Sequence, residues 1–591
     1  MENIKNFSLL KSPHRAQTLR RAVAAAVLLA IGACGGGGGG SDLSSGDLGG
    51  TGPQAAALAV VVPTQTEAAR FLTQATFGPT SAEIDRLTAL GDSSQAYAQW
   101  IDEQMAIGPS LQLPAVQAKY AVSKSPWVLQ DARQDIWFKH ATRAPDQLRQ
   151  RVAFALSEIM VVSQHSELLF MPFATADYYD MLSRGAFGDF RQLLEDVTLH
   201  PAMGTFLNML GNRKPDPLRN IRPDENYARE LMQLFSIGLV TLNSDGSVPV
   251  NAAGDPFPTY DQLVIEGFAH VFTGWNYSDA TLFSKARRTH TTQVQPMKAY
   301  PEEHATGSKK LLSYPGVAQP VLPGGQTAQQ DLEGALNNIF NHPNVGPFIS
   351  RQLIQRLVAS NPSRAYVARI AAVFNDDGQG HRGNLGAVVK AILLDPEARP
   401  SAAATTDVTG KLKEPLLRLV QFWRAYDAAA RNGNYHFTDS DRVFGQGPLL
   451  SPTVFNFFTP AYAPPGEIGD RGLVAPEMQL ANENLNTSVT NYFYTQIFLR
   501  NSTKTSLGSA IVIIDIADEM AAAQREPLVR LVVMRKELRR QGYGLVLILR
   551  LRHGLDQWTD VGDHRAARGL QQVAQARHRR MDAELDTVGV L

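Results

Sequence analysis

The chain has 591 residues, 44% apolar and 19% charged, which is a globular balance with ample length for a core. Its 56 basic and 56 acidic residues cancel, which excludes the basic excess that nucleic-acid binders use against phosphates. With one cysteine, Cys34, the chain has no internal disulfide.

The N-terminus reads as a leader, either a lipoprotein signal or a secretory signal whose cysteine is incidental, with the former favoured. Lys5, Lys11, Arg15, Arg20 and Arg21 precede the apolar run "AVAAAVLLAIGA", which is short for a bilayer span and reads as a signal peptide over residues 1–33. Ile31-Gly32-Ala33-Cys34 resembles the bacterial lipobox, and the resemblance implies cleavage before Cys34 and a diacylglycerol on its thiol. Gly35 stands where lipoproteins kept at the inner membrane have aspartate, so the resemblance implies an outer-membrane lipoprotein facing the periplasm or the surface. Residues 34–65, with "GGGGGGSDLSSGDLGGTG", are then the lipidated cysteine and a flexible Gly/Ser-rich tether.

From Thr66 to about residue 505 the pattern is helical. "EIDRLTAL", "QAYAQWIDEQMA", "DQLRQRVAFALSEIMVV", "FGDFRQLLEDVTLH", "YDQLVIEGFAHVFTGW", "GPFISRQLIQRLVA", "RAYVARIAAVFN", "LGAVVKAILLD" and "EPLLRLVQFWRAYDAA" all space apolar residues three and four apart. Strand candidates are few, and Pro-rich loops such as "GNRKPDPLRNIRPD" and "FFTPAYAPPGEIGDRG" separate the helices. The expected fold is mainly α: a large multi-helix unit with long Pro/Gly-rich loops and few strands.

Residues 506–591 differ in kind, with "RLVVMRKELRRQGYGLVLILRLRHGLDQW" and "RAARGLQQVAQARHRRMD". They read either as a basic amphipathic tail or as out-of-frame translation of a GC-rich gene. Upstream, "FLTQATFGPT" (71–80), "RQRVAFALSEIMVVS" (149–163), "YYDMLSRGAFGDFRQLLEDVTLHPAMGTFLN" (178–208), "DENYARELMQLFSIGL" (224–239), "FTGW" (272–275), "NDDGQGHRGNLGAVVKAILLDPEAR" (375–399) and "SPTVFNFFTPAYAPPG" (451–466) together resemble the bacterial domain of unknown function 1800 family. That family continues with further helix where this chain has its Arg-rich tail, which favours the out-of-frame reading. The resemblance implies an exported bacterial protein without an established activity. It also implies a partner from a second exported family, the domain of unknown function 1501.

The segment "DENYARELMQLFSIG" is the first candidate site. On a helical wheel Glu225, Asn226, Arg229, Glu230 and Gln233 fill one polar arc, while Tyr227, Ala228, Leu231, Met232, Leu234 and Phe235 fill the other. Asp224 is placed to cap the first amides and Gly238 to end the helix left-handed; Glu225 and Arg229 form a pair worth roughly 0.2–0.5 kcal/mol when exposed. An ordinary capped amphipathic helix accounts for all of this. The sharper alternative is a polar cleft in which Asn226 and Glu230 act as ligands or acid and base and Arg229 holds a carboxylate. Glu266 and His270 share a helix face at the spacing of two metal ligands, though an intrahelical pair explains them as well. The stretch "HATGSKKLL" is similar to a family motif of histidine, aspartate, glycine and lysine, which places His304, Gly307 and Lys309 on matching positions and Ala305 where the acid belongs.

"GQGHRG" (378–383) fits G-x-G-x-x-G but follows a helix rather than a strand, and its glycines are expected to serve a helix–loop–helix turn. Asn375, Asp376 and Asp377 offer oxygens for a calcium ion, a minor option because the loop lacks the twelfth-position glutamate of an EF-hand. Two function classes therefore stay open: a binding or assembly factor of the envelope, anchored through Cys34, or a hydrolytic or metal-assisted enzyme using Glu225, Arg229, Glu230 and His304, its metal or cofactor unspecified.

Overall fold

The computed structural model describes residues 62–400, 408–499 and 512–515. The signal peptide, Cys34, nearly all of the tether and all but four residues of the 506–591 tail lie outside that set. The described residues are mainly helical. In chain order the helices are α1 Gln65–Ala75, α2 Ser81–Ala89, α3 Ser93–Ala106, α4 Leu113–Tyr120, α5 Pro126–Arg143, α6 Gln147–Ser157, α7 Pro172–Gly185, α8 Phe190–Leu199 and α9 Pro201–Phe206. They continue as α10 Asn226–Gln233, α11 Gln262–Val271, α12 Ala328–Phe340, α13 Val345–Leu357, α14 Arg364–Asn375, α15 Leu385–Leu394, α16 Pro415–Ala425, α17 Ser440–Phe444, α18 Glu467–Asp470 and α19 Glu483–Tyr494.

Local chemistry sets where they start. Thr64 with Glu67, Thr80 with Glu83 and Thr327 with Gln330 form reciprocal capping boxes ahead of α1, α2 and α12. Asp189, Asp261, Ser363 and Asn384 each accept a backbone N–H at the start of α8, α11, α14 and α15. Prolines open α5, α7, α9 and α16, where a missing N–H costs nothing.

The strands are pairs of two-residue antiparallel segments: β1 Trp275–Asn276 with β2 Lys298–Ala299, β3 Lys309–Lys310 with β4 Val321–Leu322, and β5 Ala429–Ala430 with β6 Val512–Ile513. Helix α11 rests directly on β3. A methyl group on Gly267 would lie 1.9 Å from the Lys310 carbonyl oxygen, so a glycine is needed there.

At the centre, every residue of α6 is buried, as is α7 from Pro172 to Ser183. Helix α6 packs against α3, α5, α7 and α13. A helix buried all round is ordinarily apolar, yet this one carries Arg149, Gln150 and Arg151 inward. Arg149 donates to the carbonyls of Met105, Ile107 and Ser183, and Gln150 to Ser110 and Asp146, so those groups replace their lost water locally.

The periodic run 146–162 extends beyond the helix it forms. Helix α6 stops at Ser157 because the following segment turns to the loop near Ser451: Ser163 Oγ donates to the Ser451 carbonyl at 2.6 Å and the Gln164 N–H to that of Leu449 at 2.8 Å. The aromatic loop divides, with Phe457 and Phe458 buried and Phe455 exposed.

Candidate functional site

Helix α10 presents the expected amphipathic face with one departure. Tyr227, Ala228, Leu231 and Met232 are buried, and Asp224 Oδ1 accepts the Asn226 N–H at 2.8 Å. Gly238 has φ +74°, and its N–H closes the helix end on Met232. Glu225 pairs with Arg229 at 3.0 Å, and both of its oxygens accept from Gln262 Nε2 on α11 at 3.0 Å. Glu230 departs from the polar arc: it is buried, its Oε2 has no partner, and burial raises its pKa while Arg229 opposes the rise.

His304 sits in a different environment. It is buried, with Nδ1 2.9 Å from the Thr273 carbonyl oxygen and Nε2 2.8 Å from Asp331 Oδ2 on α12. Lys309 Nζ reaches the same oxygen at 2.6 Å. A carboxylate does meet the histidine and lysine of the "HATGSKK" motif, but it comes from Asp331 rather than from position 305. His270 is half-buried, and burial followed by the Lys309 charge lowers its pKa. Among the described residues, no hydrogen bond or ion pair joins His304 to Glu225, Arg229 or Glu230, and no group of three or more His, Cys, Asp or Glu is placed to hold a metal.

The loop at 378–383 is the helix–loop–helix turn that the sequence suggests. Gly378, Gly380 and Gly383 have φ near +80 to +90° between α14 and α15, and Asp376 and Asp377 spend their oxygens on backbone amides of the same loop. His200 serves as a cap, its Nδ1 accepting the Ala202 N–H at 3.1 Å.

A denser set of charges lies where α6 meets the end of α13 and the start of α16. Arg151 Nη2 donates to the Arg356 carbonyl at 2.5 Å, Arg356 Nη2 to the Glu158 carbonyl at 3.0 Å, and Lys411 Nζ to the Arg356 carbonyl at 2.9 Å. Lys411 also holds Glu477 at 2.8 Å and Glu414 at 3.2 Å, while Gln446 Nε2 donates to Glu414 at 3.1 Å. Glu158 is worse provided: Arg356 Nε is 3.8 Å away, and among the described residues no donor group bonds its oxygens. Its side-chain neighbour is the Glu414 carboxylate, to which it hydrogen-bonds only when one of the two is protonated. Burial, reinforced by the negative charge of Glu414, pushes the Glu158 carboxyl well above the usual range. For Glu414 burial acts in the same direction, but Lys411 and Arg151 outweigh it and hold the group below its ordinary value. Of the two carboxyls, Glu158 is therefore the one whose surroundings favour the protonated form.

Two cavities border this charged centre, and Arg356 lines both. One, of about 1080 Å³, opens among α1, α13, α14 and the start of α16. Among the described residues its wall carries Arg70, Arg151, Arg356, Arg364, Arg369, Lys411 and Lys413 against one acidic lining residue, Glu397. Glu397 is already committed to Ser363, whose N–H and Oγ donate to it at 2.8 and 2.5 Å. Arg369 is held bidentately by Asp395 at 2.8 Å, but the fully buried Arg151 leaves Nε and Nη1 without partners. The other cavity, of about 510 Å³, has Glu158 in its lining with Ile159, Ile237, Leu239, Phe348 and Phe455.

The class defined by this fold and site is a mainly helical protein with a buried charged centre and a cation-lined cavity. More particularly, the chain belongs to the family described as protein of unknown function DUF1800, whose model matches residues 70–550. No curated protein and no solved structure matches the chain.

The sequence reading singles out none of Arg151, Glu158, Lys411, Lys413 or Glu414. The available signals were a glutamate inside the apolar run "FALSEIMVV" and the paired lysines of "KLKEP", which periodicity treats as ordinary helix and loop.

Proposed function

We propose that the chain is an exported envelope lipoprotein whose folded unit binds an anionic small molecule in the cavity beside Arg151. One observation carries the reading: among the described residues seven cationic side chains line a cavity of about 1080 Å³ with one acidic lining residue, Glu397, that is already engaged. Although Lys411 and Arg369 are paired with carboxylates outside the lining, Arg151 keeps two nitrogens without partners. Such a wall favours phosphate or carboxylate, because guanidinium groups match planar or tetrahedral oxyanions with two donors each. The volume suits a small organic ligand. The lipobox-like segment at Cys34 and the tether support display from the outer membrane, where an exported partner of the domain of unknown function 1501 family would meet the loaded protein.

Titration of the purified protein with inorganic phosphate at constant ionic strength tests the binding, with isothermal calorimetry and melting temperature as readouts. Saturable binding at one site, weakened by Arg70→Ala and by Arg364→Ser, is expected. A response no greater than that to chloride would remove the reading. Cys34→Ser should move the protein from the membrane to the soluble fraction; unchanged membrane association would remove the anchor.

A further inference from the structure

Lys413 differs from the other cations of the cavity wall. The Lys411 amine is held by two carboxylates and Arg369 by a third, whereas the Lys413 amine donates to the amide oxygen of Gln421. Arg151 and Lys411 line the same cavity wall, and together with Arg418 they disfavour a further positive charge on Lys413, with the neighbouring Glu414 carboxylate acting in the opposite direction. Its side chain is partly accessible and lines the cavity, two residues ahead of α16, where Pro415 fixes the chain direction. The result is an amine on the cavity wall, beside other cations and, among the described residues, without a carboxylate ion pair of its own. That is how an amine is kept unprotonated and nucleophilic near neutral pH. Consistently, burial first and the neighbouring cations second pull its pKa down to about 7.

We propose that Lys413 is a nucleophilic amine that forms an imine with carbonyl-bearing anions, of the oxo-acid class, drawn into the cavity by its arginines. The inference rests on the anion-binding reading and names the chemistry of the same site. The Nζ lone pair attacks the carbonyl carbon, forming an N–C bond and turning the carbonyl oxygen into a hydroxyl. The resulting carbinolamine then loses that hydroxyl with the nitrogen's proton as water, so the C–O bond breaks and C=N forms. Nothing is oxidised or reduced. The substrate's carboxylate is held meanwhile by the guanidinium groups of the wall, among which Arg151 has both Nε and Nη1 without partners.

The test is reductive trapping on the full-length protein at pH 7, with glyoxylate as probe and cyanoborohydride as hydride donor, followed by peptide mapping. Carboxymethylation at Lys413 is expected on the order of tenfold above any other lysine, since an ordinary exposed lysine is almost wholly protonated at that pH. Lys413→Arg should abolish the selective adduct, and excess phosphate should suppress it. Lys413→Met, which keeps the stem without the amine, guards against a folding effect of the arginine. Labelling spread evenly over surface lysines would overturn the inference, as would equal labelling of Lys413 by acetaldehyde, which lacks the anion. Absence of the adduct while phosphate still binds would overturn the amine's role and leave the anion cavity standing. Absence of both would overturn the two together.

Discussion

Arg151 and Arg356 meet cation to backbone: Arg151 Nη2 donates to the Arg356 carbonyl at 2.5 Å, so a fully buried guanidinium on α6 holds the last turn of α13. This contact uses one nitrogen and leaves Nε and Nη1 unpartnered beside the cavity. Arg151→Lys keeps the charge and removes the fork. Charge-assisted hydrogen bonds are worth about 1.5–3 kcal/mol, so phosphate affinity should fall roughly tenfold to a hundredfold. Calorimetric Kd values for the two proteins check this, and equal affinities would remove Arg151 from the site.

Glu158 and Glu414 predict a pH effect of definite sign. Burial and the Glu414 charge raise the native Glu158 pKa, so between the unfolded and native values the native state binds more protons than the unfolded one. Stability from this group is complete below the unfolded value and declines as pH rises through the native one. Glu158→Gln fixes the neutral form. Its melting temperature relative to wild type should therefore improve steadily from about pH 4.5 upward. A constant difference across that range would show that Glu158 is ionised in the native protein.

His342 works in the opposite direction. It is buried, its Nδ1 accepts the Asn344 N–H at 3.1 Å, and burial, then Arg382, pull its pKa down to about 4. As pH falls from 6.5 the unfolded chain takes up a proton that the native protein refuses, so stability is lost between pH 6.5 and 4, by at most about 1.4 kcal/mol per pH unit. His342→Gln keeps an acceptor without the titration. Chemical denaturation at several pH values should give it a flatter profile than wild type across that window.

The helices were readable because their starts and faces are local properties. Ser363 before "RAYVARIAAVFN" caps the helix that forms over Arg364–Asn375, and the glycines of "GQGHRG" take the positive φ a tight turn needs. The charged centre was not readable, since it joins α6, α13, α16 and the loop at Glu477, whose members are up to 326 residues apart between Arg151 and Glu477. Glu230 illustrates the same limit within one helix. The wheel places it on the polar arc, but the wheel has no knowledge of neighbouring elements, and packing buries it. Position 305 is the converse case: an alanine there reads as a lost acid, and Asp331, 27 residues beyond His304, supplies the carboxylate through the fold.

Asp331 gives the strongest stability prediction. Its Oδ2 accepts from His304 at 2.8 Å and from Lys309 at 2.6 Å, all three side chains are buried, and its Oδ1 has no partner. The cluster ties the 304–309 loop to α12, and Gly267 brings α11 against the adjoining Lys310 backbone, so a failure there would loosen three elements at once. Asp331→Asn preserves shape and one acceptor oxygen but turns the other into an NH2 donor and leaves the Lys309 ammonium buried without its counter-charge. Breaking one side of a buried pair costs about 3–5 kcal/mol, whereas replacing both sides with apolar groups of similar volume is often close to neutral. Asp331→Asn should accordingly lower the urea midpoint sharply, and Asp331→Leu combined with Lys309→Met should recover much of the loss. A single substitution costing less than about 1 kcal/mol would mean that Lys309 reaches water in solution and that the cluster does not hold the loop.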